Sequence, residues 1–334
     1  MAYFRSVGTV SFPNESNGND QYGGVQRLRL SPKGRFLYGI RNGSHDDPFS
    51  PGHRVPYSIA AFYLLDLESN KVMHRQHFSG FTYGVKESKP TTPKTLVFNE
   101  DETLFAYAIG QRITWNKIHM EEQSARAIRP DIEKGFISAL AVEPDGQAIA
   151  YGVNRQIHLW GLENETLITS LPERSGTVTT LAFSPDGANL ASSDSTTTST
   201  TTESHIRVWN LETRIPTFLC DHPGKVTALA FSITGRWLAI SVHNTIYIWD
   251  VDTNTLQAQL QGPEDRTVTA LSFTKNTQLL VVTYDAMIQY WYLSKKQVAK
   301  TVEMKAIFSQ DGLTAVVPME KTIDVLRFQR SANR

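Results

Sequence analysis

Imidazoles and carboxylates are the groups through which this chain could carry out acid–base or metal chemistry, and it has nine histidines. Their densest grouping is His45, Asp46, Asp47 and His53, in the stretch RNGSHDDPFSPGHRVP over 41–56. Two imidazoles and two carboxylates suit a divalent transition metal. The surrounding Gly and Pro, and the lack of a fixed ligand interval, favour a solvated loop instead. His158 falls inside an apolar run, His205, His222 and His243 fall in or beside turns, and no His–carboxylate pair recurs at a constant offset. The sequence contains no G-x-S-x-G elbow, no G-x-x-x-x-G-K phosphate loop, no H-E-x-x-H pair and no G-x-G-x-x-G turn. Its one cysteine, Cys220, excludes an internal disulfide framework and reads as a small buried apolar residue rather than a reactive thiol. The expectation is a chain with no catalytic residue, no cofactor and no metal.

Charge narrows the partners. Thirty-three Lys and Arg balance thirty-three Asp and Glu, so no global field draws nucleic acid or an anionic membrane. No apolar run approaches the roughly 20 residues of a membrane span. The amino end, MAYFRSVGTVSF, lacks the basic start and long apolar core of a signal peptide. The expected compartment is the cytoplasm, with the nucleus as a second one, and the sequons at Asn14, Asn42 and Asn164 are expected to stay unmodified.

The elements that must position any site come from a repeat. LAFSITG over 229–235 recurs as LAFSPDG over 181–187, LAVEPDG over 140–146 and LRLSPKG over 28–34. Looser copies are LVFNEDE from Leu96, LSFTKNT from Leu271 and AIFSQDG from Ala306, seven copies in all. Their third residues, Leu30, Phe98, Val142, Phe183, Phe231, Phe273 and Phe308, step by 68, 44, 41, 48, 42 and 35. A second anchor keeps phase: Trp115, Trp160, Trp209, Trp249 and Trp291 follow theirs by 17, 18, 26, 18 and 18 residues. Within 225–261 each apolar run is too short for a typical helix, is rich in Val, Ile, Leu and aromatics, and ends at Gly, Thr, Asn or Asp, which is a β-meander. A period near 40 with such units means stacked sheets, each too small to bury its own faces.

These motifs resemble the WD-repeat β-propeller family along nearly the whole chain. Trp249-Asp250 spells the eponymous dipeptide, and Trp209-Asn210, Trp160-Gly161, Trp115-Asn116 and Trp291-Tyr292 are drifted forms. The Gly-His pair that usually precedes a repeat's first strand is replaced by Gly224-Lys225, Gly176-Thr177 and Gly135-Phe136, which removes the basis for the family's His–Asp hydrogen bond. The resemblance implies an all-β fold of seven four-stranded antiparallel blades. The last repeat offers three strands, so residues 1–12 are expected to supply its fourth and shut the ring, with 13–24 a connector and 25–330 the blades of a single domain over 1–334.

Two insertions interrupt the second-to-third connections: 41–56 in blade one and SSDSTTTSTTTES over 192–204 in blade four. The second is expected to be disordered, since Ser and Thr runs bury little surface. In the family these connections share a face with the connectors between blades, and insertions gathered on one face often mark a binding face. The tight turns on that face place Tyr151, Asn154 and Arg155, then His243 and Asn244, then Tyr284 and Asp285 near the channel mouth, with Lys225 and Arg266 joining from the connectors. Tyr and Arg concentrate energy at interfaces, so these nine are the candidate partner contacts. Trp237 and Phe36, just after the opposite turn, are candidates for an apolar patch there.

The reading is a non-catalytic scaffold for protein or peptide partners, working as a monomer or as a subunit of a larger complex. One alternative is a propeller holding a small molecule or glycan at the channel mouth, with enzymatic activity there included. Another follows from a similarity to the propeller regions of fungal signalling and incompatibility proteins, in which the ring would sense a ligand for an effector module.

Overall fold

The computed structural model describes residues 3–10, 20–45, 57–79, 95–109, 111–118, 126–128, 136–172, 176–275, 277–318 and 323–329. They form seven four-stranded sheets, each an antiparallel meander in chain order apart from the last. The blades occupy 20–79, 95–128, 137–172, 177–223, 226–261, 270–303 and 307–329.

Closure follows the sequence expectation. Tyr3–Val10 lies antiparallel to Ile323–Gln329 as the outermost strand of the seventh sheet, in the register Tyr3↔Gln329 to Val10↔Ile323. The Ser6 hydroxyl donates to Asp324 Oδ1 at 2.6 Å across that pair. Closing a ring this way leaves only short, protected sheet edges.

The core lies between blades. Among the described residues there are seven apolar clusters, and each joins two neighbouring blades. The cluster that shuts the ring sets Leu28, Leu30, Leu37 and Leu65 of blade one against Val316, Ile323 and Val325 of blade seven. Inner strands buried on both sides cannot alternate apolar and polar residues, and Ala148–Val153 is buried throughout. Outer strands face water on one side, and in Thr255–Gln261 only Ala258 and Leu260 are buried.

The repeated tight turn explains the anchor motif. Its last position has a left-handed backbone in all seven blades: Gly34, Glu102, Gly146, Gly187, Gly235, Thr277 and Gly312 have φ of 72°, 55°, 73°, 71°, 75°, 56° and 72°. Glycine pays no steric penalty there. At Gly34 a side chain is excluded twice over, because a Cβ would also stand 2.4 Å from Thr314 at the closing seam. The first turn residue caps the strand that follows: Ser31, Ser184, Ser232 and Ser309 accept through Oγ from the backbone N–H of Phe36, Asn189, Trp237 and Thr314 at 2.9, 2.9, 3.0 and 3.0 Å.

Several expectations are corrected. The strand Asp20–Leu30 begins inside the stretch expected as connector. The tract over 192–204 is not disordered; it continues the strands Asn189–Thr197 and Thr202–Asn210 into a hairpin arm. Backbone pairing gives that tract the order its side chains do not suggest. In blade one the strands Phe36–His45 and Tyr57–Asp66 also run long, while Asp46, Asp47 and His53 of the metal reading lie outside the described residues. Phe36 is fully buried and stacks on Phe98 at 6.1 Å, so it forms core rather than a surface patch. Trp237 is half-buried against the cluster of blades five and six. Cys220 is buried, and burial with Asp221 beside it pushes its thiol up to about 12.

Candidate interaction face

At the turn between the second and third strands of blade five, His243 sits in a left-handed conformation (φ 55°). Its carbonyl accepts from the Val268 N–H at 3.0 Å. The Asn244 carbonyl accepts from the Gly262 N–H at 2.8 Å. The Asn244 side chain donates to the Gly262 and Pro263 carbonyls at 3.3 and 3.1 Å. Arg266 closes the connector by donating its N–H to the Pro263 carbonyl at 3.4 Å, and its guanidinium lies 3.9 Å from Glu303 and 4.0 Å from Asp265. Lys225 is exposed next to Gly224, where a Cβ would stand 2.8 Å from the His243 ring.

Tyr284 supports this edge from beneath. It is 1 % exposed. Its hydroxyl donates to Gln289 Oε1 at 3.1 Å, and the Trp291 indole N–H donates to the same oxygen at 3.2 Å. Gly262 crosses directly over it, since a Cβ there would be 2.3 Å from the phenol oxygen. Burial pushes the phenol up to about 12, so it remains a neutral donor. Asp285, the next residue, is exposed.

Tyr151, a candidate contact from the sequence, is 2 % exposed and stacks on His158 at 5.1 Å. Asn154 and Arg155 are exposed at the turn of blade three, and the Asn154 carbonyl accepts from the Val178 N–H of blade four at 3.1 Å. Lys225, His243, Asn244, Arg266 and Asp285 therefore share one edge over blades five and six. Asn154 and Arg155 stand apart, with blade four between.

Sequence reasoning missed the arm of blade four and its root. Asp194 is fully buried. It accepts from the Gly176 N–H and from Arg207 Nη1 at 3.0 Å. The Trp209 indole N–H donates to Ser192 Oγ at 2.9 Å. An acid thus keeps its buried place without the family's histidine, using a backbone N–H and an arginine. The available signal was Asp194 thirteen residues before Arg207, with Gly176 at the start of the blade. Above the root the arm adds the pairs Ser195↔Ser204, Thr196↔Glu203 and Thr197↔Thr202, where blade five has already turned. At the tip the Thr198 N–H donates to the Thr201 carbonyl at 2.8 Å, and Thr198 Oγ1 accepts from the Thr201 N–H at 3.1 Å. The His205 ring bonds the Asp221 carboxylate on the outer strand.

Among the described residues no group of three or more His, Cys, Asp or Glu could hold a metal ion, and no helix is long and apolar enough to cross a membrane.

The family profile described as "WD domain, G-beta repeat" matches residues 165–210 and 213–250. The chain is 27 % identical over 173 residues to "Small ribosomal subunit protein RACK1y" of Oryza sativa subsp. japonica, covering 48 % of each. It is 29 % identical over 140 residues to "Periodic tryptophan protein 2 homolog" of Neurospora crassa, 40 % of this chain and 14 % of that protein. To the Dictyostelium discoideum protein of the same name it is 22 % identical over 288 residues, 81 % of this chain and 29 % of the relative. The match thus spans about half or less of the length of these curated relatives. Two repeats match the WD-domain profile, and the seven blades, built on one plan and shut into a ring, have the architecture of a WD-repeat β-propeller.

Proposed function

We propose that this propeller is a non-catalytic interaction platform that holds a protein or peptide partner on the face carrying the turn of blade five, the connector to blade six and the arm of blade four. One observation carries the reading. His243 and Asn244 of the blade-five turn are tied to the connector that carries Arg266 by direct bonds through Pro263, Gly262 and Val268, and Lys225 and Asp285 are exposed on the neighbouring connector and turn. A preformed edge of charged and polar groups binds with less ordering cost than mobile loops do. The small ribosomal subunit proteins among the relatives support a protein complex as the setting, in the cytoplasm with the nucleus as a second compartment.

The test is capture with the full chain as bait, comparing wild type with the triple variant Lys225→Ala, His243→Ala, Arg266→Ala and with Lys295→Ala on the opposite face. Partners lost in the triple variant and kept with Lys295→Ala support the reading. Equal capture by all three baits would overturn the choice of face. A robust catalytic turnover that the triple variant abolishes would overturn the non-catalytic reading.

A further inference from the structure

The arm of blade four carries eleven hydroxyl side chains between Ser192 and Ser204, and their surroundings divide them. Ser192, Ser193 and Ser204 are buried, whereas Thr196 to Thr201 are consecutively exposed. Pairing to the inner strand ends at Thr177↔Ser195, and pairing to the outer strand ends at Glu203↔Pro223. Beyond those rungs the arm is held by its own cross-strand pairs, by the tip turn, and by the Gly224 N–H on the Thr202 carbonyl at 2.6 Å. Opening the tip therefore breaks a few solvent-facing bonds and no core, which is the kind of segment that opens locally at low cost. A protein kinase needs such a segment, because its acceptor must enter the active site in an accessible strand.

Charge selects among the exposed hydroxyls. Glu203 is exposed three residues after Thr200, and kinases discriminate substrates by the charge pattern around the acceptor. We propose that the tip is a phosphoryl-acceptor site for a Ser/Thr protein kinase that reads an acidic residue three positions after its target, with ATP as donor and Thr200 as the first acceptor. Thr200 Oγ1 forms the new bond to the γ-phosphorus, the bond from that phosphorus to the β,γ-bridging oxygen breaks, the hydroxyl proton passes to the kinase's base, and ADP leaves. Phosphorylated Thr200 carries about −1.5 to −2 charges at neutral pH and lies three residues after Thr197, which becomes the second acceptor. The added charge enters a chain of zero net charge. It sits two residues before Thr202, whose carbonyl accepts from the N–H of Gly224, the neighbour of Lys225 on the interaction edge.

The experiment incubates the folded full chain with magnesium-ATP and a purified acidic-directed Ser/Thr kinase, and locates phosphate by peptide mass spectrometry. A synthetic peptide over 195–206 serves as the unfolded control. Wild type is expected to gain phosphate at Thr200 before Thr197, with none at Ser192, Ser193 or Ser204. Glu203→Gln should lose label at both threonines, and Thr200→Ala should lose the Thr197 label as well. Both changes lie on the exposed arm, so thermal unfolding should match wild type and show that loss of label is not loss of fold. A folded chain that stays unlabelled, with or without labelling of the peptide, overturns the proposal. So does Thr197 label that survives Thr200→Ala, or label on the three buried serines.

Discussion

Blades four and five stand side by side, share the LAFS motif and both match the family profile, yet they treat one rung of the sheet in opposite ways. In blade five Val242 pairs with Thr245 and the chain turns at once. In blade four the corresponding residue is Asp194, paired with His205, and the strands climb three rungs further. An isopropyl group at that rung needs only apolar neighbours. A buried carboxylate needs a partner for each desolvated oxygen, and blade four supplies the Gly176 N–H and Arg207, whose side chain is 14 % exposed. The tryptophans differ in the same sense. Trp209 donates to Ser192, while the Trp249 indole nitrogen is buried without a hydrogen-bond partner among the described residues. Blade five is the apolar solution to the repeat and blade four the polar one, and the arm rises from the polar one.

The comparison breaks most visibly at Asp194. Asp194→Ala should cost about 3–5 kcal/mol in urea denaturation, because it removes the buried carboxylate that answers both the Arg207 guanidinium and the Gly176 N–H. The paired change Asp194→Val with Arg207→Met, which copies the apolar solution, should recover most of that loss. A cost below about 1 kcal/mol for the single change, the range of an exposed ion pair, would mean that the root is solvated. Next in size is the contrast between Trp209→Phe and Trp249→Phe. Both remove similar volume, so the difference isolates one hydrogen bond, and the blade-four variant should be less stable by about 1 kcal/mol. Replacing 196–203 by a two-residue Asn-Gly turn, which keeps Ser195 paired with the buried Ser204, should change stability by less than about 1 kcal/mol, since loop length enters only logarithmically.

The ring was readable because burial on two faces forces apolar anchors at a fixed period, and a sheet packed on both sides has no other way to be written. Polar order left no such trace. Ser and Thr between 192 and 204 have the composition of a solvated tract, and what orders them is backbone pairing below a Thr198–Thr201 turn. Tyr151 and Tyr284 flank turns, a position that usually faces water. Their rings instead fold inward, and Tyr284 has room only because Gly262 above it lacks a side chain. The missing Gly-His pair removed the expected partner of a buried acid, but a backbone N–H and an arginine thirteen residues away can replace it. Spacing rules built around the histidine do not register that substitution.

The smallest effect lies at the boundary between the two blades and sharpens the contrast through pH. His222, on the outer strand of blade four, lies tilted against Tyr247 of blade five with ring centroids 4.0 Å apart, and its Nε2 is buried without a hydrogen-bond partner among the described residues. Burial lowers its pKa, and the Asp221 carboxylate only partly opposes that. The folded chain therefore holds this imidazole neutral at a pH where the unfolded chain, titrating near 6.5, already takes up a proton. Stability from His222 is fully present above about pH 6.5 and is lost as pH falls toward the lower folded value. His74, buried against Phe105 in the seam of blades one and two and lowered to about 4 by burial alone, acts in the same direction over a wider window. His222→Phe should narrow the gap between melting temperatures at pH 7.5 and 5.5 without closing it, and adding His74→Phe should narrow it further. An unchanged gap in His222→Phe would show that water reaches the ring in the folded state, and that the seam between the polar and apolar blades is open at this point.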